Sequence, residues 1–292
     1  MFVCPICSSE NLSTLYYGVL RTGTFGKSTS KKSYVYECQE CSVKFIKNQL
    51  DESYYKSVDY REDYNNSLDI QSVYEEHDQI DANKLYTIGL ENLRHKKIAD
   101  FGAAAGSFLQ LVANVSEFSV AIEPSQHFHE VLERHNKYVF SYGSDLVKSG
   151  IKIDVATSFD VIEHTQNPVT YAKEIYDSLH DNGKLYLKTP NFYDILHELN
   201  AEVFDPFNYR TAHLFYFDED SLVNVLKRAG FSQIKVKYLH DYDVSNLLGW
   251  MKESKPTCLN KIKTFDNGFN IMYKNYLEQN ALASHLWIEA TK

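Results

Sequence analysis

Four of the chain's cysteines form two Cys-x-x-Cys pairs, Cys4-Pro-Ile-Cys7 and Cys38-Gln-Glu-Cys41. Four thiolates presented by two such turns close a tetrahedral shell with no open position, the pattern of a structural Zn2+. Neither pair opens a helix after a strand, so a redox role is disfavoured. The fifth, Cys258, reads as an ordinary buried or free thiol. A second set of residues surrounds a glycine-containing loop, Ala99-Asp-Phe-Gly-Ala-Ala-Ala-Gly-Ser107. Gly102 and Gly106 permit positive φ and close approach of a ligand, and the helix that follows offers free N–H groups. Asp100 stands in front of this loop. Glu123 ends the next apolar run, where a carboxylate can accept both hydroxyls of a ribose. A dinucleotide site would also use an acid after the second strand, but it needs Gly-x-Gly-x-x-Gly spacing. An acid at position 100 would repel a pyrophosphate and suit the ammonium of an amino-acid moiety.

These residues need elements to place them. From about residue 96 the chain alternates strand and helix patterns. Strands are expected at 98–101, 119–122, 138–140, from 153, at 185–187, 231–239 and 285–289. Helical spacing appears at Phe108, Leu111, Val112 and Val115, and again over 128–135 with Ser125 as N-cap. Asn167-Pro168 opens a helix whose stripe is Val169, Ala172, Ile175 and Leu179. Asn182-Gly183 marks a turn. Asp218 caps a helix that stops at Gly230. Residues 240–280 show no clear alternation, apart from a helical stretch at 268–280 before the last strand. This is an α/β pattern: a doubly wound, mostly parallel sheet of seven strands, with ligands at the strands' carboxyl ends.

The 292 residues carry 30 Lys+Arg and 39 Asp+Glu, a net charge of -9, with 43% hydrophobic residues. That is an ordinary globular composition, and the acidic total opposes a protein that coats nucleic acid. The charge is uneven: +3 over residues 1–50, -7 over 51–95 and -5 over 96–292. The segmentation is a zinc-ribbon module at 1–50, an acidic, tyrosine-rich helical connector or lid at 51–95, and the main domain at 96–292. No apolar run is long enough to span a membrane and no secretory signal is present, so the cytoplasm is the expected compartment.

Three motifs carry a resemblance: Asp-x-Gly-x-x-x-Gly at 100–106, Ala-Ile-Glu-Pro-Ser at 121–125, and Ser-Phe-Asp-Val-Ile-Glu-His at 158–164. With Leu187–Asn191, His213–Phe217 and the terminal Leu286-Trp-Ile, they resemble class I S-adenosylmethionine-dependent methyltransferases. The nearest subgroup is the ubiquinone-biosynthesis O-methyltransferases and small-molecule relatives. The likeness spans roughly 80–292, and Ala104 replaces the family's middle glycine. It implies a Rossmann-like fold in which Gly102, Ala104 and Gly106 cradle the methionine part of the cofactor. Asp100 would support the loop and the cofactor amino group, and Glu123 would hold the ribose. Ser144 or Asp145 would meet the adenine, and Phe159 either packs near adenine or sulfonium or is a plain core aromatic.

The ribbon placed before such a domain also resembles bacterial sugar C-methyltransferases, although their second α/β domain has no counterpart here. In those enzymes a Tyr-His-Glu-His run ends in a catalytic base. Tyr209 and His213 match its Tyr and its last His, while Arg210 and Thr211 replace the middle residues and Ala212 makes the spacing Tyr-x-x-x-His. His213 is therefore the candidate base or substrate ligand, against the alternative of a helix-cap histidine. Asp160, Glu163 and His164 match a pattern that holds a divalent ion in ubiquinone-type enzymes. Positioning of the substrate loop is the preferred role for Glu163 and His164. Asn191 borders the expected cleft. Tyr54 and Tyr55, with Tyr60 and Tyr64, form a candidate substrate lid, or they join the ribbon to the main domain.

The expectation is a methyltransferase with a structural Zn2+ acting on a small polar metabolite, a nucleotide-linked sugar or glycan precursor, by O-methylation. C-methylation, an RNA methyltransferase and a non-catalytic cofactor-binding protein are the alternatives. No nucleic acid or membrane partner is expected.

Overall fold

The computed structural model describes residues 2–23, 25–47, 69–256 and 262–292. Tyr54, Tyr55, Tyr60, Tyr64 and Cys258 lie outside the described residues. The elements in chain order are β1 (Leu12–Arg21), β2 (Ser28–Cys38), β3 (Lys44–Ile46), α1 (Ile70–Ile88), β4 (Lys97–Phe101), α2 (Ser107–Val112), β5 (Phe118–Ile122), α3 (His129–His135), β6 (Tyr138–Phe140) and α4 (Gly143–Ser149). They continue with β7 (Ile153–Phe159), α5 (Pro168–Ser178), β8 (Leu179–Pro190), α6 (Ile195–Asn208), β9 (Phe215–Tyr216), α7 (Glu219–Ala229), β10 (Lys235–Leu239), α8 (Val244–Glu253), α9 (Asn267–Gln279) and β11 (His285–Thr291). Short 3-10 turns at Gln126–Phe128 and Ile162–His164 precede α3 and α5.

The larger sheet has seven strands in the order β10-β11-β8-β7-β4-β5-β6. The chain runs outward from β4 through β5 to β6 in parallel register, then returns to place β7 on the other side of β4, also parallel. The switch point therefore lies between β4 and β7, where such sheets bind ligands. The α/β, doubly wound, seven-stranded reading is met. Among the described residues, no helix is long and apolar enough to cross a membrane.

The chain divides into two compact units. One comprises Leu50–Leu187, Val225–Lys235 and Glu289–Lys292; the other comprises Met1–Gln49, Lys188–Asn224 and Val236–Ile288. In the first, local rules work as expected. The Asp69 carboxylate accepts from Ser72 N at 2.9 Å to start α1, and Gly89 ends it with φ 84°. Asn167 accepts from Thr170 N, with Pro168 at the first helical position of α5. Ala172, Ile175 and Leu179 are buried as the stripe requires. Asn182 takes the left-handed conformation expected of a turn, with φ 63°. Two details differ. Leu111 faces solvent and Leu109 turns inward. Ser125 makes no side-chain cap bond.

In the second unit a four-stranded sheet runs β1-β2-β3-β9. The first two strands form a hairpin in which Tyr17 opposes Tyr34 and Thr14 opposes Tyr36; Tyr36 then opposes Phe45 across β3. Leu20, Val35, Ile46, Phe192, Tyr209 and Tyr216 pack together as a buried cluster against one face of this sheet. Asp218 caps α7 through Ser221 N at 2.9 Å, as expected. The strand expected at 231–239 begins only at Lys235, and the unpatterned stretch 240–280 holds two helices, α8 and α9.

Candidate functional site

The carboxyl ends of β4, β5 and β7 place three acidic or aromatic side chains around one loop. Gly102 has φ 91°, and a Cβ there would clash with Val161 Cγ2. Gly106 has φ 85°, and its Cβ would meet Leu132 Cδ2 at 2.8 Å, which a shift of that side chain could relieve. The backbone conformation favours glycine at both positions, and packing adds to it at Gly102. Ala104 also sits at positive φ, 48°, a conformation that costs an L-residue about 1–2 kcal/mol.

That strain is supported by Glu123, which is 2% exposed. One oxygen of its carboxylate accepts from Ala104 N and the other from Ser125 N, each at 2.9 Å. Its backbone oxygen contacts His129 Nε2 at 2.7 Å. The carboxylate is thus fixed at the mouth of the loop with its orientation set by two backbone donors. Asp100 is buried and takes a 2.7 Å hydrogen bond from Thr157 Oγ1. Burial pushes its pKa up to about 7; Thr157 and Lys84 work against that rise, while Asp81 and Glu123 reinforce it.

Helix α1 supplies residues that the sequence reading missed. The Tyr74 hydroxyl donates to Ala105 O at 2.9 Å and receives a bond from Gln110 Nε2. Ser107 Oγ donates to Asp78 at 2.7 Å. Lys84 pairs with buried Asp81 at 2.8 Å and lies 4.6 Å from the centroid of the Phe159 ring. Phe159 meets Phe108 edge-on at 5.3 Å. Ser144 and Asp145 sit in the first turn of α4, with Asp145 3.4 Å from Lys148. Glu163 and His164 lie in the turn after β7, Glu163 buried.

The other unit holds the remaining candidates. His213 is 2% exposed and is followed by strand β9 rather than directly by the expected helix. The segment carrying it is strapped to the ribbon on both sides. Arg21 N donates to Tyr209 O at 2.9 Å, Thr211 N to Arg21 O at 3.0 Å, and Ile46 N to Leu214 O at 3.0 Å. Lys44, 1% exposed, pairs with Asp218 and lies 3.3 Å from Glu37. Tyr209, expected to touch substrate, is instead fully buried in the ribbon's core between Tyr16 and Tyr216. Asn191 has a scaffolding job: its amide donates to Ala281 O and Ala283 O, and its oxygen accepts from Tyr193 N.

The four ribbon cysteines converge. Cys4 and Cys41 sulfurs are 3.6 Å apart, Cys7 and Cys38 3.4 Å, and all four lie within 4.8 Å of one another. A tetrahedral metal with bonds of about 2.3 Å would place its sulfurs about 3.8 Å apart, so the cluster fits Zn2+. The residue after each pair, Ser8 and Ser42, takes positive φ, giving the two turns the same form. The contact between the two sulfurs lowers the pKa of the Cys4 thiol and raises that of Cys41, as expected of two thiols sharing one proton.

Residues 74–236 match the methyltransferase-domain family, more than half of the chain, and the protein belongs to that family. Its fold is that of the class I S-adenosylmethionine-dependent methyltransferases. A methyltransferase from Archaeoglobus fulgidus superposes with a TM-score of 0.52 at 16% identity, covering 77% of this chain and all of that one. Phosphoethanolamine N-methyltransferase 2 from Haemonchus contortus gives 0.49 at 15%, over 85% of this chain and 61% of its own. Magnesium protoporphyrin IX methyltransferase from Synechocystis gives 0.49 at 15%, over 82% and 97%. No curated protein matches the chain.

Proposed function

We propose that the protein is an S-adenosylmethionine-dependent methyltransferase acting on a small polar metabolite, such as a nucleotide-linked sugar or glycan precursor, by O-methylation. The observation that carries the cofactor assignment is Glu123, buried yet oriented by Ala104 N and Ser125 N at the end of β5. The donor set fits the cofactor: a carboxylate for the ribose hydroxyls, the Asp100 carboxyl for the amino group, and a loop of positive-φ residues that lets a ligand approach the backbone. When bound, the cofactor supplies an electrophilic methyl group on sulfur.

The chain's residues then have three tasks. Glu123 and Asp100 hold the cofactor from both ends, so that the methyl group is aligned for in-line displacement. Glu163 and His164, after β7, position the substrate loop. His213 takes the proton of the substrate hydroxyl as the oxygen–carbon bond forms, the role suited to imidazole near neutral pH. Four cysteine thiolates hold a structural Zn2+ that fixes the ribbon and, through it, the His213 segment.

Calorimetric titration with S-adenosylhomocysteine tests the first step. Micromolar binding that weakens about 10- to 100-fold in Glu123→Ala is expected, the cost of losing charged hydrogen bonds worth about 1.5–3 kcal/mol. No binding by the wild-type chain refutes the reading.

A further inference from the structure

The ribbon sheet has one face packed on its own core; on the other face Phe45 and Phe215 are buried, and among the described residues the β1–β2 end is exposed. An antiparallel sheet of this kind normally turns polar side chains to solvent. Here the exposed end is aromatic. Tyr17 on β1 opposes Tyr34 on β2, their rings stacked at 4.3 Å. Tyr34 stacks with Tyr36 at 5.6 Å, and Tyr36 meets Phe2 at 4.9 Å. Tyr17 is 53% exposed, and Tyr34 and Phe2 are each 39% exposed. The row ends in a small pocket of about 110 Å³ lined by Phe2, Phe45, Phe215 and Lys47 among others.

Two cations flank the row. Lys32 lies over the Tyr17 ring at 5.4 Å and Lys47 over the Phe2 ring at 5.0 Å, and both are exposed. Strand alternation puts Lys32, Tyr34 and Tyr36 on this face of β2 and turns Glu37 to the other, where it lies beside Lys44. Among the described residues, no carboxylate therefore stands in the row. The ligand this surface suits has flat rings and negative charge repeating along an extended chain.

We propose that the exposed β1–β2 end of the ribbon sheet binds single-stranded nucleic acid, with bases against the tyrosines and phosphates against Lys32 and Lys47. Stacking on aromatic rings tolerates any base, and lysines follow the backbone. The chain's net charge of -9 opposes coating of nucleic acid by the protein as a whole, but residues 1–50 carry +3, so the opposition does not fall on the ribbon's own residues. The proposal goes beyond the methyl-transfer reading and does not depend on it.

The test is fluorescence anisotropy of the full, zinc-loaded chain with labelled oligo(U) and oligo(dT), from about 50 to 200 mM salt. Binding with a log–log salt slope of about -1.4 is expected from two lysine–phosphate contacts. Tyr34→Ala and Tyr34→Leu, which keeps an apolar side chain but removes the ring, should each weaken it about tenfold, the loss of one base stack. The double change of Lys32 and Lys47 to alanine should flatten the slope. Zinc content and S-adenosylhomocysteine affinity serve as folding controls and keep failure here distinct from failure of the enzyme assignment. Absence of binding at low salt, binding indifferent to Tyr34→Leu, or binding of heparin but neither oligonucleotide overturns the proposal.

Discussion

Asp100 should make cofactor binding depend on pH, with a sign that follows from its burial. The carboxyl is 4% exposed and raised to about 7 from an ordinary 3.8, chiefly because burial disfavours its charge. Near neutrality the free protein is therefore a mixture of protonated and ionised forms. A cationic amino group placed against this residue requires the ionised form, so binding below pH 7 must expel a proton. Affinity for S-adenosylhomocysteine should fall about 25-fold between pH 7.5 and 5.5, with about one proton released per ligand at the lower pH.

Stability of the free protein should run the other way. The folded pKa lies above the unfolded one, so Asp100's contribution is fullest below pH 4 and is lost as pH rises through 7, a swing of about 4 kcal/mol. Calorimetry in two buffers of different ionisation enthalpy measures the proton count, and thermal melts across pH measure the second effect. Asp100→Asn should remove the pH slope of binding and leave affinity at pH 7.5 near the weak, acidic level of the wild type. A slope that survives Asp100→Asn, or no proton release at pH 5.5, refutes the assignment of this residue to the cofactor's amino end.

Removing the ribbon metal with a strong chelator should release one Zn2+ per chain and unfold the ribbon, lowering turnover more than tenfold while S-adenosylhomocysteine affinity changes less than twofold; metal analysis and titration on the same sample check it. Lys44→Met should destabilise the protein by about 3–5 kcal/mol in urea melts, because Asp218 loses its buried partner, and Lys44→Met with Asp218→Asn should recover part of that loss. Ala104→Gly should raise stability by about 0.5–1 kcal/mol, since relief of the left-handed conformation exceeds the added freedom of glycine in the unfolded chain.

The conformation of the glycine loop proposed to hold the cofactor was legible because its signals are local. Positive φ at Gly102 and Gly106, an acid before the loop and an acid at the next strand's end all lie within 24 residues, and alternation placed the strands that carry them. The caps at Asn167 and Asp218 were equally local. What escaped was set by pairing at a distance. Strand β9 is two residues long and joins a partner some 170 positions earlier, so no periodicity announces it. Tyr209 carries the same side chain whether it lines a cleft or fills a core, and only the strap from Arg21 decides for the core. The service of Tyr74 and Lys84 to the loop depends on how α1 docks, which the charge pattern of its own segment cannot specify.

This pairing changes what the ribbon is for. A module of about 50 residues cannot bury enough surface to be stable alone, which is why such folds recruit a metal. Here β9 completes the ribbon's sheet, and Phe192, Tyr209 and Tyr216 complete its core, all contributed from far along the chain. Those contributions bracket His213 on both sides in sequence, and the Lys44–Asp218 pair closes the segment just after it. A ribbon built this way acts as the mould for the loop that carries the proposed base. Metal ligation, the packing of Tyr209 and the placement of His213 then become one cooperative unit. A mutation at Cys7 or Cys38 should consequently resemble one at Tyr209 in its effect on turnover, because all three act on His213 through the ribbon's packing.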